Sequence, residues 1–324
     1  MYVGVEGVTN DNRYFFRWSH GWELSSLCSI SAQLRFQHIG LIKQCKIDQA
    51  LFTTLVERWR PKTHTFHLPW GKCTITLEDV ARHLGIRVDG RAVIGPRFVH
   101  WDESFDMLLG EVPSNNARKG AALKLTWLLS ILRAPLPKEP TIHQLQRRCR
   151  AYIMYMIGGV LIPDKSGNRG STCLTNLYKE LSETSSEIGR VMSDCVILLQ
   201  SWAWYYMPFI APKIPRPETT YSLAKRRSSG RLKHRDTPYG DLVGVPYRGF
   251  EEHLPKHAYR DRDIWSACSA IICFSIVEWH QTNRVKLQFG LHQDILVDLM
   301  NLDRLHQIDM RDNHYSDWME YHVR

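Results

Sequence analysis

From Asp48 onward, apolar positions recur at helical spacing. Leu51, Phe52, Leu55, Val56 and Trp59 fall at i, i+1, i+4, i+5 and i+8, so they share one face of a helix. Pro61 disfavours helical geometry in the residue before it, which stops this helix near Arg60. Two β-prone runs follow, Thr63–Leu68 and Cys73–Thr76, and Pro69-Trp70-Gly71-Lys72 between them reads as a hairpin turn. Thr76 then stands where an N-cap belongs, with Asp79 three residues on in a capping-box position. Leu77, Val80, Ala81 and Leu84 form the apolar stripe of the helix so begun, and Gly85 supplies its stop. Because short connections join helix, hairpin and helix, Leu51, Leu55, Trp59, Phe66, Ile75, Val80 and Leu84 are expected in one buried cluster.

Further helices are expected at about 101–109, 119–132 and 141–157. Thr141 caps the last of these, with Leu145, Cys149, Tyr152 and Met156 on one side. Another is expected at 188–206, with Val191, Cys195, Leu198, Leu199, Trp202 and Tyr206 inward and Pro208 ending it. Residues 211–262 contain APKIPRPE and AKRRSSGRLKHRD and lack helical periodicity, which predicts a basic loop or linker. Helical patterning resumes at 264–280 and, more weakly, near 291–305. Residues 1–39 are mixed and carry no assignment, and no internal repeat is visible. The fold class expected is mainly α: a multi-helix globular domain with one small β-hairpin near residues 63–76.

Composition adds a partner class. With 44% hydrophobic residues and eleven tryptophans among 324 residues, the chain can build a core. The net charge of +9 favours polyanions such as nucleic acid, chromatin or an acidic protein surface. Eight scattered cysteines without a CxxC pair fit reduced thiols of the cytosol or nucleus. The N-terminus lacks the pattern of a signal peptide, and no uncharged apolar run reaches membrane-spanning length, so a soluble intracellular protein is expected.

Five ordered blocks carry a family likeness. LVERWRPKTHTFHLPWGKCTITLEDVARHLGIRVDGRAVIG (Leu55–Gly95), AYIMYMIGGVLIPDKSGNR (Ala151–Arg169) and LLQSWAWYYMPFIAP (Leu198–Pro212) resemble the signature of the plant mobile domain. IICFSIVEWHQTNRVKLQFGLHQ (Ile271–Gln293) and LHQIDMRDNHYSDWMEYH (Leu305–His322) continue it in the same order. The resemblance covers roughly residues 40–324 and departs at Arg169–Leu174, where the family carries a further stretch ending in a YSWGSA-like motif. It implies a domain found in plant retroelements and DNA transposons and in nuclear host proteins akin to the maintenance-of-meristems group. Those host proteins are linked to meristem maintenance, genome integrity and transposable-element silencing, and some are fused to or act with phosphatase-like proteins. An older label for the domain is "aminotransferase-like". Arg58, Trp59, Arg60, His64, Phe66, Asp79, Glu278, Trp279 and His280 are the signature positions for which it implies a structural or partner-contacting role.

Candidate chemistry is sparse. Lys225, Arg226, Arg227, Arg231, Lys233 and Arg235 lie within eleven residues, a run suited to nuclear targeting, to phosphate contact, or simply to a solvated loop. His64, His67 and Cys73 invite a zinc reading, but zinc takes four ligands and strand residues three apart face opposite ways. GxSxG, GxxxxGK[ST] and the metallophosphatase runs GDxHG, GDxxDRG and GNHE are missing. A pyridoxal-phosphate enzyme needs a Schiff-base lysine, and Lys165 in PDKSGNR sits in what reads as a turn. The expectation is a nuclear adaptor without catalytic, cofactor or metal site that binds other nuclear proteins, with nucleic acid a further candidate partner. The alternatives are a transposon-derived or phosphatase-associated enzyme component and a DNA-binding protein acting through the basic loop.

Overall fold

The computed structural model describes residues 47–69, 71–89, 100–119, 122–161, 170–186, 192, 195–211, 222–224, 246–247, 259, 261–273, 276–296 and 298–299. Helix α1 (Gln49–Arg58) is capped by the Asp48 side chain, which accepts from the Leu51 N–H, and buries Phe52 and Leu55. The chain then enters a three-stranded antiparallel sheet of β1 (Trp59–Arg60), β2 (Thr65–Leu68) and β3 (Gly71–Cys73) in that order. Its register places Trp59, Phe66 and Cys73 abreast on the core face, while Arg60 pairs with Thr65 and His67 with Lys72 on the other. The sheet thus begins earlier than expected: Trp59 ends the helical face yet is itself a strand residue, and β3 finishes at Cys73, where Thr74 and Thr76 turn to other bonds.

Helix α2 (Leu77–Leu84) has both halves of the Thr76/Asp79 capping box and ends on Gly85 in the left-handed region, φ 68°. Helix α3 (Trp101–Leu109) also lies where the sequence places it. The helix expected at 119–132 is shorter: a two-stranded hairpin, β4 (Arg118–Lys119) and β5 (Ala122–Leu123), precedes α4 (Leu125–Arg133). Helix α5 (Ile142–Met156), capped by Thr141, runs into a π-helical turn at Ile157–Leu161, where the double glycine sits.

The next helix, α6 (Gly170–Ser186), occupies a segment for which the sequence carries no expected element, and it is the hub of the fold. It packs against α1, α2, β1 and the C-terminal hairpin. Cys173, Leu174, Leu177, Tyr178 and Leu181 are all buried. Helix α7 (Val196–Tyr206) begins later than the expected 188, and its buried residues surround the axis. A helix apolar on all sides belongs inside a core rather than on its surface.

Two further expectations are corrected. The stretch 264–280 forms no long helix: a 3-10 turn at Arg262–Ile264 leads to the antiparallel hairpin β6 (Ser269–Cys273) and β7 (Ile276–His280). Its β-branched Ile271, Ile272, Ile276 and Val277 suit a pleated surface, and a short apolar run of this kind does not distinguish strand from helix by periodicity. The weaker helix near 291–305 is absent from its described part, 291–296 and 298–299. The chain is therefore mainly α with several small antiparallel sheets rather than one hairpin. The expected cluster forms: Leu55, Trp59, Phe66, Ile75, Val80 and Leu84 are at most 1% exposed, and Leu51 packs against them. The loop expected at 211–262 lies largely outside the described residues, but Leu223, Ala224 and Tyr247 within it are buried in the core.

Candidate functional site

The polar residues of α2 head a buried hydrogen-bond network. Asp79 Oδ2 accepts from the Thr76 N–H at 2.7 Å and from its hydroxyl at 2.8 Å. Asp79 Oδ1 accepts from the Tyr247 hydroxyl. The same hydroxyl lies 2.9 Å from Nε2 of His83, one turn further along α2, and His83 Nδ1 lies 2.7 Å from Ser201 Oγ on α7. Burial pushes the Asp79 carboxyl up to about 7, against the opposing pull of its bonds from Tyr247 and Thr76. Burial likewise raises the Tyr247 hydroxyl well above its usual range, and the Asp79 charge adds to this.

Hydroxyl, imidazole and carboxyl in sequence resemble the parts of a nucleophile–base relay. Access argues otherwise. Ser201 is 2% exposed, His83 and Asp79 not at all, and Tyr247 3%. A reacting group must come within hydrogen-bond distance of the nucleophile, and these atoms already face protein on every side that a partner is recorded. The network instead satisfies buried polar groups and pins α2 to α7 and to Tyr247.

On its outer side Arg82 is enclosed. Its Nε donates to Glu78 Oε1 at 2.7 Å, and its guanidinium carbon lies 5.0, 5.1 and 4.8 Å from the ring centroids of Tyr247, Tyr259 and Trp265. A cation among three aromatic faces is stabilised by their quadrupoles, more so when desolvated.

On the sheet side, signature residues far apart in sequence converge. The His64 ring stacks on Tyr178 at 4.7 Å and lies beside Trp59 at 6.0 Å. His64 Nε2 lies 3.0 Å from Glu278 Oε2, and Nδ1 lies 2.9 Å from the Trp279 carbonyl. His64 holds φ +48°, a rare conformation for a non-glycine residue. Trp59 Nε1 donates to Ser182 Oγ on α6 at 3.1 Å, and the Tyr178 hydroxyl donates to the Ile75 carbonyl at 2.5 Å. His280 Nε2 accepts from the Leu77 N–H at 3.4 Å while Nδ1 donates to the Ala267 carbonyl at 3.1 Å, which fixes a neutral tautomer. Burial lowers this imidazole to about 4.

Metal chemistry finds no scaffold among the described residues, where no group of three or more His, Cys, Asp or Glu side chains is placed to hold an ion. Cys73 lies on the core face of β3 and His67 on the opposite face of β2, so the sheet itself separates two of the candidate zinc ligands. The six described cysteines are free thiols, and burial raises the Cys73 thiol far above its usual value. No helix among the described residues is long and apolar enough to cross a membrane.

The sequence that builds this core has counterparts in known proteins. The family model described as "Plant mobile domain" matches residues 36–172 and 169–324. The chain belongs to the plant mobile domain family. The two matched pieces meet where the sequence departs from the family pattern, at the start of α6. An Arabidopsis thaliana protein named "Serine/threonine-protein phosphatase 7 long form homolog" is 32% identical over 94% of this chain and 26% of its own length. "Protein MAIN-LIKE 2" and "Protein MAINTENANCE OF MERISTEMS" of the same plant are each 27% identical, over 89% and 85% of this chain and 49% and 64% of their own. The chain thus spans between about a quarter and two thirds of these relatives. No solved structure matches.

Of the signature positions of this plant mobile domain, Trp59, His64, Phe66, Glu278 and the Trp279 backbone meet in one cluster, with Asp79 and His280 bonded to the two ends of the Thr76-Leu77 junction. Arg58 and Arg60 stand outside it, exposed. Glu78 pairs with Arg82, and Arg60 donates to the carbonyls of Glu57 and Trp59. Lys225, Arg226, Arg227, Arg231, Lys233, Arg235 and Lys165 lie outside the described residues. Sequence reasoning missed Tyr178, His83, Ser201, Tyr247 and Gln288, each bonded across more than seventy positions of chain. A polar residue inside an apolar helical stripe, such as Ser201 beside Trp202, was the available signal.

Proposed function

We propose that this plant mobile domain works by binding, as a non-catalytic nuclear adaptor in transposable-element silencing and meristem maintenance. The observation that carries the reading is the fate of the signature residues. Trp59, His64, Asp79, Glu278 and His280 are consumed in holding the fold together, at 3% exposure or less, rather than gathered in an open cleft. The name of one relative, "Protein MAINTENANCE OF MERISTEMS", supports the meristem part of the reading. The test is genetic and cellular. A fluorescent fusion should accumulate in plant nuclei, and a null line should derepress transposable-element transcripts and disorganise its meristems, with rescue by the wild-type chain. A cytoplasmic fusion, or a null line with normal transcripts and meristems, contradicts the proposal.

A second reading rests on a specific likeness, to the relative named as a phosphatase 7 homologue. On it, the chain acts beside a phosphatase-like protein as a component of its complex. Co-purification of a phosphatase-like protein from plant nuclei, lost on dissociation of the fold by Trp59→Ala, is the outcome that supports it.

A further inference from the structure

The three-stranded sheet has a second face, on which Thr65 is buried, His67 half-buried, and Arg60 and Lys72 reach solvent. Directly across the β2–β3 ladder from His67 stands Lys72, and Arg60 stands diagonal to His67 across β1–β2. Side chains directly opposite in such a ladder have Cβ atoms about 5 Å apart and diagonal ones about 7–8 Å, so the three heads share one small area. Arg60 and Lys72 are exposed, as is Lys62 in the turn joining β1 to β2. Among the described residues none of these three cations has an ion-pair partner. From Gln49 to Ile75 the chain carries four Lys or Arg (58, 60, 62 and 72) against one carboxylate, Glu57.

We infer that this outer face, formed by Arg60, His67 and Lys72 with Lys62 at its edge, is a contact site for the phosphate backbone of duplex nucleic acid. The charges of the patch itself point to an anion, since Lys72 and Arg60 stand around the half-buried His67 ring. Beyond its burial, the positive charges of Lys72 and then Arg60 hold this imidazole below its ordinary range, so the three groups feel one another. An arriving phosphate relieves that repulsion.

Nucleic acid fits better than an acidic protein. Protein interfaces place aromatic and apolar residues at their centre, yet the exposed large hydrophobics of the described chain, such as Met107, Ile142 and Ile295, lie elsewhere in sequence. Phosphate contacts are made by Arg, Lys and hydroxyl side chains on a rigid element, which is what the sheet presents. The overall charge of +9 adds long-range attraction. This site is distinct from the basic run 225–235 and does not depend on the adaptor reading.

The experiment is fluorescence anisotropy of a labelled 20-base-pair duplex titrated with the full chain across a salt series. Each phosphate neutralised contributes about 0.9 to the slope of log affinity against log salt. The double variant Arg60→Gln/Lys72→Gln is expected to lower that slope by about 2 and to weaken binding roughly tenfold or more at low salt. Lys72→Glu, at an exposed strand position, is the companion variant, with its folding checked by circular dichroism. In the wild-type chain the His67 imidazole should titrate at higher pH when duplex is bound, by NMR. Unchanged slope and affinity in both folded variants overturn the proposal. So does displacement of the duplex by polyglutamate as readily as by unlabelled DNA, which points to an acidic protein instead. Loss of all binding in Lys225→Ala/Arg226→Ala/Arg227→Ala, with the sheet variants unaffected, overturns it in favour of the loop.

Discussion

Gln288 closes a two-point clamp on the backbone of Thr74, 214 positions earlier in the chain. Its Oε1 accepts from the Thr74 N–H at 2.7 Å and its Nε2 donates to the Thr74 carbonyl at 2.9 Å, with a further bond to the Tyr206 hydroxyl at 2.7 Å. The amide therefore does for Thr74 what a neighbouring strand would, at the point where β3 has already ended. Removing it leaves a buried N–H and a buried carbonyl without these partners, each costing about 1–3 kcal/mol. Gln288→Leu should destabilise the chain by about 3 kcal/mol, measured as a lowered urea midpoint at unchanged m-value.

Trp59 is the second test of the same junction. It is 1% exposed, contacts the rings of Phe66 and Tyr178 at 4.8 and 5.4 Å, and donates to Ser182. Trp59→Ala should cost about 3–5 kcal/mol, as expected for large aromatics removed from a core. Ser182→Ala, which only orphans the indole N–H, should cost about 1 kcal/mol by the same equilibrium unfolding measurement.

Arg82 within its three rings gives a third. Arg82→Ala should lose about 2–3 kcal/mol, because Glu78 is left partly buried without this partner and three aromatic faces lose their cation. Arg82→Lys should recover part of this at most, since an ammonium cannot reproduce the planar stacking. Equilibrium unfolding checks both variants, and an alanine variant as stable as the wild type would contradict the packing described.

Two buried groups set opposing pH dependences. Asp79 titrates at about 7 when folded and 3.8 when not, so the folded state holds the extra proton between these values and stability falls as pH rises through them. His280 titrates at about 4 when folded and 6.5 when not, so here the unfolded state holds the extra proton and stability rises with pH. Between about pH 4 and 6.5 the two effects oppose each other in the wild-type chain. Asp79→Asn keeps an oxygen for Thr76 and an amide for Tyr247 while removing the titration. Its stability should therefore climb across that window more steeply than the wild type's, in unfolding curves taken at half-unit steps. Parallel pH profiles for the two chains would show that Asp79 titrates at its ordinary value.

Local signals were legible in the sequence, and long-range ones were not. The Thr76/Asp79 box and the Gly85 stop act over three to nine residues and need nothing from elsewhere, so helix α2 was readable to its ends. The run Ile271–Val277 reads as helix because what makes it strand is the pairing of Ile271 with Glu278 and Ile272 with Val277 between two strands. Helix α6 was overlooked although Cys173, Leu174, Leu177, Tyr178 and Leu181 repeat the spacing that identified α1. Tyr247 stood in a stretch that reads as polar loop. Its value to the fold comes from Asp79 and His83, residues that are far away in the chain.

The central claim is that the buried Asp79–Tyr247–His83–Ser201 network supports a binding protein and performs no turnover. The most direct measurement assays the purified chain for phosphatase, nuclease and pyridoxal-phosphate-dependent activity with magnesium, manganese, zinc and iron supplied in turn. The account predicts no turnover above that of a heat-unfolded control, while Ser201→Ala and His83→Gln lower thermal stability. Saturable turnover that either substitution abolishes in a still-folded chain would contradict it.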